Sequence, residues 1–161
     1  HINPDIEILK TYHPGAIEVA FGDPEWGATT SRQAMDNGAD VIFAAGGATG
    51  NGGLIEIASE AEAGSRVFCI GVDLDQWYSV PEAQPCLITS AEKHMVQGVS
   101  DLIVQAAAGE MPTGNVYGTV GLAPYHDFDS QISDEIKATI EEIAAALNDG
   151  SMVTGHEFGM E

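Results

Sequence analysis

Apolar and polar positions along this chain fall into blocks whose spacing switches between that of a strand and that of a helix. Residues 6–12, IEILKTY, predict a first strand. DPEW then opens a helix, with Asp23 where an N-cap belongs and Pro24 at the first helical position. That helix runs through TTSRQAMDN and stops at Gly38, a glycine end signal. ADVIFAA is almost continuously apolar and predicts a second strand covered on both faces. After a glycine-rich loop, LIEIASEAEAG predicts a helix ending at Gly64. RVFCIGVD reads as a third strand, DQWYSVPEAQ as a loop and PCLITS as a short fourth strand. AEKHMVQGVSDLIVQAAAGE predicts a helix capped by Ser90 and stopped at Gly109, and NVYGTVGL a strand or extended segment. In SDEIKATIEEIAAALNDG, Ser133 is the expected N-cap, and Ile136, Ile140, Ile143 and Leu147 share one face. The tail SMVTGHEFGME reads as an irregular end.

Strand and helix alternating with short connections imply right-handed βαβ units, and hence an α/β fold: a parallel sheet between two helical layers. No internal repeat, low-complexity stretch or linker divides the sequence. In such sheets ligands bind beyond the carboxyl ends of the strands. The candidate site is therefore the set of loops around Phe21, Gly46 to Gly53, Asp73 to Tyr78 and Ser90 to Lys93.

Charge narrows the partners. The 161 residues carry 25 acidic and five basic side chains, a net charge of −20. Such a surface repels nucleic acid and anionic lipid headgroups, so no nucleic-acid partner is expected. It also weighs against a phosphorylated ligand unless the few cations gather at one site. No run approaches the ~20 apolar residues of a membrane span, and no signal peptide heads the chain. The start, HINPDIEIL, reads as the interior of a longer protein or a processed product. Cys69 lies in an apolar run where a buried free thiol is the usual state; pairing with Cys86 requires that their strands be neighbours, and both states stay open. The five histidines have no metal-ligand spacing, and no nucleophile elbow or other catalytic constellation occurs, so neither metal nor cofactor is expected.

AAGGATGNGG, residues 44–53, packs five glycines into ten residues. Its Gly47-x-x-Gly50-x-Gly52 spacing inverts the dinucleotide fingerprint, and the Gly-Lys-Ser/Thr of a P-loop is absent. A backbone surface facing a ligand at a helix start is favoured over a bare turn, which needs one or two glycines. Asp73, Asp75 and Gln76 follow the third strand at once; they suit hydroxyl binding better than a hard cation, which would want more oxygen ligands in this loop. Lys93, one of only five cations, follows the fourth strand, although a surface lysine alone is ordinarily inert. Phe21, Trp26, Trp77 and Tyr78 place aromatics beside the same edge, either to stack on a flat base or to fill the core.

The segments INPDIEILKTYHPG, FGDPEWGATTSRQAMDNGADVIFAAGGATGNGG, VFCIGVDLDQWY, LITSAEKHMVQG and VGLAPYHDFDSQISDEIKATIEEI occur in an order that resembles the BMP family of basic membrane lipoproteins. These are substrate-binding proteins of ABC-type importers and include purine nucleoside-binding lipoproteins. The resemblance implies two α/β lobes of the type I periplasmic-binding-protein kind, closing on a ligand. Members are about twice this length, so it implies a C-terminal half. Residues 1–90 and 111–161 would belong to the second lobe and 91–110 to a helix of the first. By the same resemblance Phe21 would stack on a base, Gly46 and Gly47 would approach a sugar, Asp73 would accept from ribose hydroxyls and Lys93 would donate to them. Trp26, Asp75 and Gln76 would stand beside them as further contacts. The implied partners are a small nucleoside-like ligand and an ABC transporter permease. The implied setting is extracytoplasmic, at the cell surface or in a periplasm, with a lipid anchor on the missing N-terminal part. A nucleotide- or sugar-dependent α/β enzyme and the ligand-sensing domain of a regulator remain the alternatives.

Overall fold

Three parallel strands and one antiparallel strand make the sheet of this protein, described by a computed structural model over residues 3–154. In chain order the elements are α1 (Ile17–Ala20), α2 (Pro24–Asp36), β1 (Val41–Phe43), α3 (Gly47–Ala58), β2 (Phe68–Asp73) and α4 (Gln76–Ser79). A 3-10 turn at Pro81–Ala83 leads to β3 (Leu87–Lys93), α5 (Met95–Ala108) and β4 (Val120–Leu122). A second 3-10 segment, His126–Gln131, precedes α6 (Asp134–Asn148). The sheet order is β1-β2-β3-β4, parallel except for the antiparallel β3–β4 pair. The chain divides into two units, residues 1–126 and 127–161. The sheet and α1 to α5 belong to the first. In the second, Ser133 caps α6 by accepting from the Ile136 amide, as the sequence predicts.

The core of the first unit gathers Leu54 and Ile57 of α3, Cys69 of β2, Val80, Ala83, Cys86 and Leu87. Cys69 and Cys86 form a disulfide, which resolves the open question about these thiols. The pairing follows from topology: β2 and β3 are neighbours, and Cys69 stands opposite Leu87. Both sulfurs are fully buried against the carbonyl of Leu54.

Much of the glycine-rich stretch is helix rather than loop, since α3 begins at Gly47. Three glycines in it answer to packing. A Cβ at Gly52 would overlap the Pro24 backbone, one at Gly50 would overlap the Ala44 carbonyl, and one at Gly53 would lie 2.5 Å from Ser31 Oγ. Gly27 of α2 completes the arrangement, because a Cβ there would overlap the Thr49 carbonyl. Helices α2 and α3 therefore meet backbone to backbone along a glycine seam.

Several expectations are corrected. Residues 6–12 form no strand: no described segment pairs with them, and Ile6, Ile8, Leu9 and Tyr12 stay exposed. An apolar run becomes a strand only where a neighbour takes its backbone hydrogen bonds. β1 is not covered on both faces; it is one of the sheet's two edge strands, with Val41 and Phe43 exposed. The helix after the glycines ends at Ala58 rather than Gly64. β3 continues past Ser90 to Lys93, so Ser90 is a fully buried strand residue and no helix cap. α5 starts only at Met95, ends at left-handed Gly109 as expected, and buries no residue. Residues 155–161 of the expected irregular tail lie outside the described residues.

Candidate functional site

Because β1, β2 and β3 are parallel, the Gly46–Gly47 turn, Asp73 and Lys93 all stand at the carboxyl edge of the sheet. Lys93 Nζ lies 2.7 Å from Asp73 Oδ1, and both side chains are substantially exposed. Asp73 itself sits in the left-handed region at φ +72°. The Leu74 amide donates to the Val72 carbonyl at 2.9 Å, closing a three-residue turn with Asp73 at its centre. A non-glycine residue held this way costs on the order of 1–3 kcal/mol, and such strain concentrates at functional sites.

The neighbouring side chains explain how the turn is held. Gln76, buried under it, accepts from the Val72 amide at 2.8 Å. Its own amide donates to Ser90 Oγ at 3.1 Å, and its side-chain NH2 donates to Asn51 Oδ1 at 2.8 Å. A Cβ on Gly71 would come within 2.6 Å of both Gln76 Oε1 and Ser90 Oγ, so this buried polar knot requires glycine there. Asp75 caps α4 by accepting from the Trp77 amide at 3.1 Å, and its other oxygen accepts from His126 Nε2 at 2.9 Å. It is more enclosed than Asp73, at 18% side-chain exposure against 43%. Of the two carboxylates, Asp73 at the strand end is therefore the more open to solvent. Trp77 stacks on the His126 ring with centroids 4.6 Å apart, and Tyr78 meets the same ring edge-on. Trp77 and Tyr78 are thus built around a histidine that no sequence signal singled out.

On the β1 side, Phe21 follows α1 with its ring about half exposed. It stands against Gly47: a Cβ on that glycine, itself at φ +56°, would lie 3.2 Å from the Phe21 carbonyl and 3.5 Å from its ring. Gly46 is extended and leads directly into α3. Trp26 lies further along, its ring edge-on to His13 at 4.7 Å. Its amide donates to Asp23 Oδ1 at 3.0 Å, which confirms Asp23 as the N-cap of α2. That bond, with a second from His13 Nε2 at 3.3 Å, holds the Asp23 carboxyl below the usual carboxylate value.

The fold thus joins Asp73 to Lys93 and Phe21 to Gly47, while Gln76, Asp75 and Trp26 are engaged in local structure. A cavity of about 320 Å³ opens at Asp73, Glu92, Lys93, His94 and the first turn of α5. A larger one, about 420 Å³, lies at the opposite edge between Arg32, Asp40, Glu60 and Arg66 and contains none of the candidate residues. Its lining mixes both signs of charge, and the four named side chains include two ion-paired arginines (Arg32 with Glu56, Arg66 with Glu62). Among the described residues no cluster of His, Cys, Asp and Glu could hold a metal ion.

A family model described as Bmp, ABC transporter substrate-binding protein PnrA-like, matches residues 1–124. A CD4+ T-cell-stimulating antigen of Listeria monocytogenes is 32% identical over 171 aligned positions, covering 94% of this chain and 44% of that protein. Its counterpart in Listeria innocua is 31% identical with the same coverage. Among solved structures, a transcriptional activator of the comK gene from Bacillus halodurans superposes with a TM-score of 0.68 at 18% identity, over 83% of this chain and 45% of its own. An ABC transporter system solute-binding protein from Aeropyrum pernix K1 gives 0.66 at 22% identity, over 85% and 46%. At these identities the structural matches speak for the fold alone. The chain spans a little under half the length of the relatives it matches.

Proposed function

We infer the function from one premise: the chain belongs to the Bmp family of PnrA-like ABC transporter substrate-binding proteins. We propose that it forms the C-terminal half of a two-lobed binding protein that captures a nucleoside, or a similar small polar solute, for an importer. Residues 1–90 and 111–161 would build one lobe, and residues 91–110 would lie in the other. The ligand would bridge the lobes and stabilise a closed state that the transporter permease reads. No chemical step on the ligand is part of this reading.

The observation that carries the proposal is the Asp73–Lys93 pair at the carboxyl edge. A carboxylate supplies acceptors and an ammonium supplies donors, which together suit vicinal hydroxyls. The pair is neutral as a unit, so it favours an uncharged ligand over a phosphorylated one. Gly46 and Gly47 would let the backbone approach the sugar, and Phe21 would stack on the base. An open β1 edge, the exposed apolar side chains of residues 6–12 and an uncovered α5 all fit a chain completed by further residues. The Cys69–Cys86 disulfide supports an oxidising, extracytoplasmic setting. No described helix is long and apolar enough to cross a membrane, and attachment would come through a lipid anchor on the preceding part.

Calorimetry on the longer protein tests the ligand class. Adenosine, guanosine or inosine should bind more tightly than the corresponding monophosphate. Equal or tighter binding of the monophosphates overturns the assignment.

A further inference from the structure

We propose that Thr49 is the positioning residue for Phe21: it ties the loop carrying that ring to the glycine turn and so fixes the stacking surface. The inference rests on the reading of Phe21 as a ligand contact and adds to it a residue outside the proposed contact set.

Thr49 lies in the first turn of α3 and is only 5% exposed. Its Oγ1 accepts from the Asp23 amide at 2.8 Å, and its own amide donates to the Phe21 carbonyl at 3.4 Å. One residue thereby grips the loop on both sides of Gly22. The grip cannot drift, because the Thr49 carbonyl is wedged against Gly27, where even a methyl group would overlap it. Asp23 is held from its other side by the Trp26 amide and by His13 Nε2. The His13 ring is oriented in turn, since its Nδ1 accepts from the Gly15 amide at 2.9 Å.

Phe21 stands differently. Its ring is about half exposed and its backbone carries the restraint. A ring that is to stack on a planar base must be held within about 0.5 Å and 10–20° of its productive pose. Among the described residues the Thr49 hydroxyl makes the side-chain hydrogen bond that joins this loop to the start of α3, beside the turn that would face the sugar, so it relates the two halves of the contact surface. A threonine among five glycines is thus explained: the glycines bring the backbones together, and Thr49 supplies the bond that their closeness permits.

The test uses the full-length protein and has two arms. Thr49→Val keeps the branched shape and removes the hydroxyl; Thr49→Ser keeps the hydroxyl. Without ligand, hydrogen exchange at the Asp23 amide should rise about tenfold or more in Thr49→Val and stay near wild type in Thr49→Ser. In inosine titrations Thr49→Val should weaken binding by roughly three- to thirtyfold, with Thr49→Ser restoring most of it. That loss should vanish in a Phe21→Ala background and persist in an Asp73→Ala background, because only the first shares its mechanism. Unchanged exchange, unchanged affinity, or a loss that survives Phe21→Ala overturns the role of Thr49. Wild-type affinity in Phe21→Ala alone instead overturns the stacking reading, and with it this inference. Absence of inosine binding to the wild type refutes the ligand assignment, and the exchange arm then decides whether Thr49 holds the loop. Should Thr49→Val fail to fold, Thr49→Ala carries the same comparisons.

Discussion

Helices α3 and α5 have similar lengths, 12 and 14 residues, and each presents a run of apolar side chains. α3 buries Thr49, Gly50, Gly53, Leu54 and Ile57 between α2 and the sheet. α5 buries nothing and exposes Met95, Val96, Val99, Ile103 and Val104. The difference lies in what stands opposite. α2 comes to α3 along the glycine seam, whereas no described element covers α5. An apolar helix face therefore announces that burial is intended, but it does not name the partner.

Core truncation should separate the two helices most. Leu54→Ala should cost about 2–5 kcal/mol in chemical denaturation of the 161-residue chain. In the same chain Ile103→Ala should stay within about 0.5 kcal/mol. If the longer protein covers α5, Ile103→Ala should there approach the cost of Leu54→Ala. Equal small effects in both contexts would show that the α5 face has no partner.

Glycine substitutions come next and should differ in sign. Gly52→Ala places a methyl group in the Pro24 backbone and should destabilise by about 3 kcal/mol, since main chain must move. A Cβ on Gly98 of α5 meets nothing within 4 Å, so Gly98→Ala should stabilise the chain by about 0.5–1 kcal/mol. Thermal melts of both variants against wild type decide it.

The strand ends joining the two regions give a third contrast. Asp73→Ala should weaken nucleoside binding by roughly tenfold to hundredfold, about 1.5–3 kcal/mol, with little change in melting temperature. Asp75→Ala should do the reverse: it removes the α4 cap and the His126 partner, at about 0.5–2 kcal/mol of stability. Titration and melting of both variants would expose an exchange of these roles.

The smallest effect is expected at Asp23, which caps α2 beside α3. The Trp26 amide and His13 lower its carboxyl pKa in the folded state. Its stabilising contribution is complete above the unfolded value near 3.8 and is lost as pH falls through the lower folded value. Melting curves from about pH 6 to about pH 2 should therefore show the advantage of wild type over Asp23→Asn shrinking only below that value. A difference that fades already near neutral pH would show that the Asp23 carboxyl does not carry it.

Local signals were legible wherever neighbours in sequence settle the outcome. Asp23 with Pro24 starts α2, Gly109 in its left-handed conformation ends α5, and Ser133 caps α6, each through bonds within a few residues. The carboxyl-edge location of Asp73 and Lys93 was also legible, because parallel βαβ units allow little else. What failed depended on remote partners. Residues 6–12 have strand composition without a neighbouring strand, and Ser90 has capping chemistry in a segment that β2 recruits as strand. Asp75 lies close in sequence to Asp73, yet His126, 51 positions away, engages it.

Pattern alone determined the α/β class, the order of most elements and the edge on which the candidate residues gather, because periodicity and capping act over one or two turns of chain. Tertiary structure decided the rest. It formed the Cys69–Cys86 bond, turned three glycines of AAGGATGNGG into packing positions, strained Asp73 over Gln76 and left α5 uncovered. Each of those outcomes requires two segments distant in sequence to meet at contact range, and periodicity along one segment carries no information about the surface that will face it.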